Sequence, residues 1–301
     1  MPRPASFVLN SKFSRSLRAL AVFAALGWTA AAHAAEWRDL LDPELSQWRK
    51  YLSFRHRTDY NGQPPVDAAG QPIAPIGYDK DEAGVFTVKT IDGELVLHVS
   101  GEIYGCVFTK QEFKNYRFKL KTKWGEKKWD PRKEKLKDSG ILYHSIGEPG
   151  VEWWRSWMLS QEFQIMEGHM GDYWCQANSA IDIRAFSPEG AMNAVASERQ
   201  PFRAFGPGGI ASFCLRSDDR ETRDGGWTEL ELICFEGKSV HVVNGEVVMV
   251  LKDSRVMNDG VATPLIQGRI QLQSEAAEVF FKDIQIQEIS ALPAEFAHLF
   301  E

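Results

Sequence analysis

From Trp37 onward, apolar and polar residues alternate in short runs separated by turn dipeptides, and this restricts the fold more than any other feature. Phe86-Thr87-Val88-Lys89 leads through Asp92-Gly93 into Glu94-Leu95-Val96-Leu97-His98-Val99, and Ser239-Val240-His241-Val242-Val243 turns at Asn244-Gly245 into Glu246-Val247-Val248-Met249-Val250. Asp-Gly and Asn-Gly between alternating runs mark two-residue hairpins, whose central residues need positive φ. Further runs cover residues 115–124, 140–145, 162–166, 211–215, 227–233, 270–273 and 279–286. Convincing amphipathic helices are nearly absent. Many short strands with turn signals predict an all-β sandwich or barrel. Residues 55–82 and 187–209 are Pro/Gly-rich loop insertions, and 125–138, GEKKWDPRKEKLKD, reads as a solvated charged loop rather than a binding patch. No repeat or second domain is apparent, so residues 36–301 are expected to form one domain.

The first 35 residues read differently. Arg15 and Arg18 precede a short apolar run, Ala19 to Leu26, and small residues follow to Ala32-His33-Ala34-Ala35. That order is the pattern of a secretory signal peptide. The run is too short to span a bilayer as a helix. The expectation is an exported chain, periplasmic or secreted, with no membrane attachment after cleavage. A formal charge of −6 argues against nucleic acid as partner. Nothing resembles a nucleotide-binding loop, so no nucleotide cofactor is expected. Cys106, Cys175, Cys214 and Cys234 could pair in three ways or remain buried thiols, with a Cys214–Cys234 bridge possible; no zinc spacing is present.

Chemistry concentrates in residues 160–174, SQEFQIMEGHMGDYW. On a strand, residues two apart share a face. Glu162, Gln164 and Met166 then form one row, and Phe163 and Ile165 the other. Glu167 joins Glu162 only if a bulge near Gly168 resets the alternation. Trp153, Trp154, Trp157, Tyr173 and Trp174 flank this strand, and aromatic faces suit the C–H faces of sugars. Trp153 and Trp154 are adjacent, so one of them is expected to be exposed. Gln273 and Glu275 share a face and could bond hydroxyls, while Tyr78 and Arg184 are weaker candidates.

The opening Trp37-Arg38-Asp39-Leu40-Leu41-Asp42-Pro43-Glu44-Leu45-Ser46-Gln47-Trp48 resembles that of the 3-keto-disaccharide hydrolase-like domain family. So do Gly105-Cys106-Val107-Phe108-Thr109, Ser139-Gly140-Ile141-Leu142-Tyr143-His144, Glu162-Phe163-Gln164-Ile165, Ile270-Gln271-Leu272-Gln273-Ser274-Glu275 and Phe281-Lys282-Asp283-Ile284, in that order. The likeness spans nearly the whole chain after the leader. It implies a concanavalin A-like jelly-roll β-sandwich and cleavage of glycosides whose sugar is oxidised to a ketone at C3. Asp138 stands where the family often has Asn.

The implied chemistry asks for particular groups. A C3 ketone acidifies the C2 hydrogen; a base removes it, and the enolate expels the C1 substituent. A base near pKa 7 is needed, with an electrophile at the ketone oxygen. His144, Glu162, His169 and Asp172 are the candidate polar centre, with Gln164, Glu167, Trp153, Trp154, Trp174, Gln273 and Glu275 around the sugar. A divalent metal could be the electrophile, held by His144, Glu162 and His169. Two other readings remain open: a non-catalytic carbohydrate-binding module, and a retaining β-glucanase-like glycosidase using Glu162 and Glu167. The latter needs carboxyls about 5–5.5 Å apart, and Gln164 stands where that signature has an Asp.

Overall fold

The computed structural model describes residues 36–301, so the leader read over residues 1–35 lies outside the described residues. The described chain is almost entirely strand, arranged as two large antiparallel sheets, with a four-residue helix at Ala294–Ala297. The twelve-stranded sheet has Tyr116–Lys128 near its middle, between Thr228–Phe235 and Ala277–Glu288. The eight-stranded sheet runs in the order Phe213–Cys214, Tyr173–Gln176, Leu159–Met166, Asp138–Ile146, Arg269–Ser274, Gly105–Thr109, Trp48–Leu52, Gly77–Tyr78. This is the all-β sandwich that the alternation predicts. Both hairpin turns form where expected, with positive φ at Asp92, Gly93, Asn244 and Gly245.

Strand alternation sorts the eight-stranded sheet into two faces. Phe163, Ile165, Ile141, Tyr143, Ile270, Leu272 and Val107 point inward. There they pack on Phe118, Leu120, Leu230, Leu232, Val279 and Phe281 of the other sheet. Burial of this apolar surface, at about 25 cal/mol per Å², is the main force closing the sandwich. The opposite face carries a smaller cluster of Tyr51, Tyr104, Cys106, Phe108, Leu142, Trp157 and Met158. Beside it on that face lie the polar residues of the 160–174 region.

No two of the four cysteines are paired. Cys214 and Cys234 sit in different apolar clusters, so the bridge considered from sequence is not formed. Among the described residues, no helix is long and apolar enough to cross a membrane.

Candidate active site

Three neighbouring strands supply the floor of the site. Gly140 on the middle strand pairs with Gln164 on one side, and Asp138 bridges to Glu275 on the other. Glu162, Gln164, Asp138, Gln273 and Glu275 therefore occupy adjacent positions on the face away from the core. Above them opens a cleft of about 780 Å³. Arg132, Asp138, Glu152, Glu162, Gln164 and Glu275 give it a polar lining, and Trp153, Trp154 and Trp174 give it aromatic walls.

The walls are fixed in place. Trp153 is 57% exposed, yet Tyr60 donates its hydroxyl to the Trp153 carbonyl at 2.7 Å, and a Cβ on Gly62 would fall 2.6 Å from the indole ring. Trp154 stacks on Tyr60 with ring centres 5.2 Å apart. Trp174, 39% exposed, leans on Phe213 at 4.5 Å. Glu152 clasps the loop that presents the first two rings. Its Oε1 accepts from the Ser156 amide at 2.7 Å, and its other oxygen accepts from the Trp154 amide.

The floor is a cluster of buried carboxyls around one cation. Arg132 Nη2 lies 2.5 Å from Asp138 Oδ2, and Nη1 lies 3.4 Å from Glu275 Oε1. Gln164 donates Nε2 to Asp138 Oδ1 at 2.7 Å. Glu162 receives the Gln176 amide on Oε2. Burial pushes the carboxyl of Glu162 well above its ordinary range; the Gln176 amide opposes this, and Asp138 and Glu152 add to it. Burial and the adjacent Asp138 likewise push Glu275 up. Burial raises Asp138 too, while Arg132, the Ser139 amide and Gln164 draw it down. Burial works against the charge of Arg132, but Glu275 and Asp138 hold it protonated. One guanidinium cannot neutralise three buried carboxylates. Asp138, with the most donors, is the carboxyl best held in its charged form, while burial favours the protonated form of Glu162 and Glu275.

The structure brings together Glu162, Gln164, Trp153, Trp154, Trp174 and Glu275, and places Gln273 beneath them, fully buried beside Gly140. Four other expectations are corrected. His144 should share the face of Gly140 and Leu142, but the register shifts between Tyr143 and Ile146, and His144 has φ of 51°. That bulge turns the ring inward against Tyr116 of the opposite sheet, with centres 5.9 Å apart. Burial there lowers its pKa to about 4. His169 and Asp172 do not reach the cleft. They form a clasp: His169 Nδ1 is 3.0 Å from Asp172 Oδ2, and Arg216 donates its amide and Nη1 to Asp172 Oδ1 at 2.8 and 3.0 Å. The clasp fastens the turn after the acidic strand to the segment at Arg216.

Glu167 follows a strand that runs unbroken from Leu159 to Met166. It lines a separate depression beside Trp124 and Glu221 and faces Lys137 at 3.8 Å. The Glu162–Glu167 pair of a retaining glycosidase is therefore not assembled. Tyr78 bonds Glu148 and lines another hollow, and Arg184 donates to the carbonyls of Gln200 and Leu299. Among the described residues, no three His, Cys, Asp or Glu side chains are disposed to hold a metal ion. His144, Glu162 and His169 stand apart and do not fit one.

Arg132, Asp138, Glu152 and Gln176 are the cleft residues that the sequence reading missed. The 125–138 excursion is not wholly solvated, because Arg132 returns from it to the sheet. The one signal was Asp138, which departs from the family's usual Asn and now proves to be the partner of Arg132.

The sequence profile of the 3-keto-alpha-glucoside-1,2-lyase-like domain matches residues 36–287. No curated protein matches the chain in sequence. Among solved structures, a protein of Parabacteroides distasonis ATCC 8503 named "putative glycosyl hydrolase" is similar at 14% identity, covering 84% of this chain and 100% of its own, with a TM-score of 0.43. LamAcat of Zobellia galactanivorans is similar at 11% identity over 85% of this chain and 97% of its own, with a TM-score of 0.39. The carbohydrate-binding module CBM66 of Bacillus subtilis is similar at 8% identity over 67% of this chain and 92% of its own, with a TM-score of 0.36.

Proposed function

The chain belongs to the 3-keto-alpha-glucoside-1,2-lyase-like domain family, and from that membership we propose that it is an exported enzyme cleaving 3-keto-glycosides. The observation that carries this reading is the position of Glu162 beside the Arg132–Asp138 pair on one floor between tryptophan walls. A protonated carboxyl, an ionised carboxyl and a fixed cation are the three groups that elimination next to a ketone requires.

In this mechanism the sugar ring stacks on an aromatic wall with its ketone oxygen toward Arg132. Asp138 takes the C2 proton, and the C–H electron pair forms an enolate whose oxygen charge faces the guanidinium. The enolate collapses to the ketone, a C1–C2 double bond forms, and the C1–O bond breaks. The leaving oxygen takes its proton from Glu162. Water then adds across the double bond, hydroxyl to C1 and proton to C2, to give the free 3-keto sugar. The buried floor strengthens each electrostatic contact by excluding water. Export rests on the basic start, short apolar run and small-residue end of residues 1–35.

The test is incubation of the purified protein with a 3-keto-glucoside and with its unoxidised parent, with and without a chelator. Aglycone release from the oxidised substrate alone is expected. Sugar binding without release from either would favour a binding module and overturn this reading.

A further inference from the structure

Gln273 is fully buried, and neither its amide nitrogen nor its amide oxygen has a hydrogen-bond partner. A buried polar group left so calls for an explanation, because the unmade bond costs roughly 1–3 kcal/mol. Its surroundings supply one. Gly140, between the strands of Glu162 and Gln273, has no side chain to fill its place in the outward row. An ideal Cβ there would fall 2.4 Å from Gln273 Oε1 and 2.6 Å from Glu162 Oε1. The two oxygens lean into the same gap. Two acceptor oxygens bordering one gap gain nothing from each other unless a proton lies between them. The other carboxyl oxygen of Glu162 already accepts the Gln176 amide, which leaves Oε1 as the oxygen to carry the proton.

We propose that Gln273 is the positioning residue for Glu162: its amide oxygen accepts the Glu162 carboxyl O–H through the space left by Gly140. This deepens the functional reading above, since a glutamate held in that way is a general acid whose proton is stored until the leaving oxygen competes for it. The charged and titratable groups around Glu162 are Asp138, Glu152, Glu275, Arg132 and Cys175. The three carboxyls and the thiol give it no cation of its own, and Arg132 is committed to Asp138 and Glu275. The opposite amide orientation would direct Nε2 at the carboxyl and stabilise the anion instead. The proposal therefore fixes both the amide orientation and the protonation state.

The test is infrared spectroscopy of the full chain at neutral pH, with Glu162→Gln, Gln273→Leu, Gly140→Ala and Gln273→Glu beside the wild type. The wild-type minus Glu162→Gln difference should show the carbonyl band of a neutral, hydrogen-bonded carboxylic acid. That band should shift or vanish in Gln273→Leu and Gly140→Ala and persist in Gln273→Glu, which keeps an acceptor. A carboxylate band in the difference spectrum, or a neutral band unmoved by Gln273→Leu and Gly140→Ala, would overturn the proposal. This readout needs no turnover, so it stands apart from whether 3-keto-glycosides are the substrates. Where turnover is measured, Gln273→Leu should lower kcat roughly ten- to a hundred-fold with little change in KM, less than the ~10²–10⁴-fold expected for loss of the acid itself. Circular dichroism shows which variants retain the fold, and Gly140→Ala meets only side-chain tips at the modified position.

Discussion

Arg132, from a loop, and Asp138, on the second strand of the cleft floor, meet at 2.5 Å between Nη2 and Oδ2, in a site where both side chains are nearly buried. Their contact joins a charged excursion to the sheet and places the cleft's cation against the carboxylate proposed as base. Arg132→Met should be damaging twice over. Removing one partner of a buried pair costs about 3–5 kcal/mol of stability. Losing the donor proposed for the ketone oxygen should reduce kcat by about 10²–10³-fold. Thermal unfolding and turnover of a 3-keto-glucoside measure the two effects.

Glu162→Gln keeps the shape of the side chain and removes the transferable proton. Turnover should fall by about 10²–10⁴-fold while sugar affinity is retained. Calorimetric titration with substrate, beside the kinetic assay, checks both halves.

Glu162 and the guanidinium pair were only partly legible in the sequence. Alternation alone orders the 162–166 row, because a strand has one period and Phe163 and Ile165 must go to the core. It could not place His144. A single positive-φ residue at a bulge reverses a side chain, and nothing in Tyr143-His144-Ser145 announces it. Arg132 was hidden for another reason. Within PRKEKLK it is one cation among several, and only the folded path of the loop distinguishes it from the solvated Lys133 and Lys135. The fold as a whole was legible because it depends on dozens of alternating positions, whereas the site depends on a few long-range meetings.

His144→Asn offers the complementary control. Asn tolerates the left-handed backbone at this position. Because His144 packs against Tyr116 and not in the cleft, stability should fall while kcat and KM stay within about two-fold. A hundred-fold loss of kcat with intact folding would restore His144 to the mechanism.

The proposed role of Trp153 as a sugar platform can be tested without touching an aromatic residue. Gly62 has φ of +81°, and an added Cβ would collide with the Trp153 ring. Gly62→Ala should displace that ring and raise KM by about 2–10-fold, the worth of one aromatic contact, with kcat little changed. Trp153→Ala should do the same.

Stability should also depend on pH with a definite sign. Glu162 and Glu275 have folded pKa values held well above the unfolded range, mainly by burial. The folded state therefore binds more protons than the unfolded state once pH exceeds the ordinary carboxylate range, so their contribution is lost as pH rises through the folded values. Buried His56, His144 and His241, lowered by desolvation to about 4, 4 and 3, act in the opposite sense, but only below the ordinary imidazole value of 6.5. Between about pH 6.5 and 8, below the ordinary thiol range, the carboxyls decide the slope, and the unfolding free energy should fall as pH rises. Glu162→Gln should flatten that fall in denaturant titrations.

The central claim is that a C2 proton is removed before the glycosidic bond breaks, and isotope exchange tests it most directly. The protein is incubated in D₂O with a 3-keto-glucoside, and the sugar released is analysed by NMR. The account predicts deuterium at C2 of the free 3-keto sugar, with both release and incorporation suppressed in Glu162→Gln. Release of a sugar that retains its original C2 hydrogen, or equal release from the unoxidised glucoside, would contradict it.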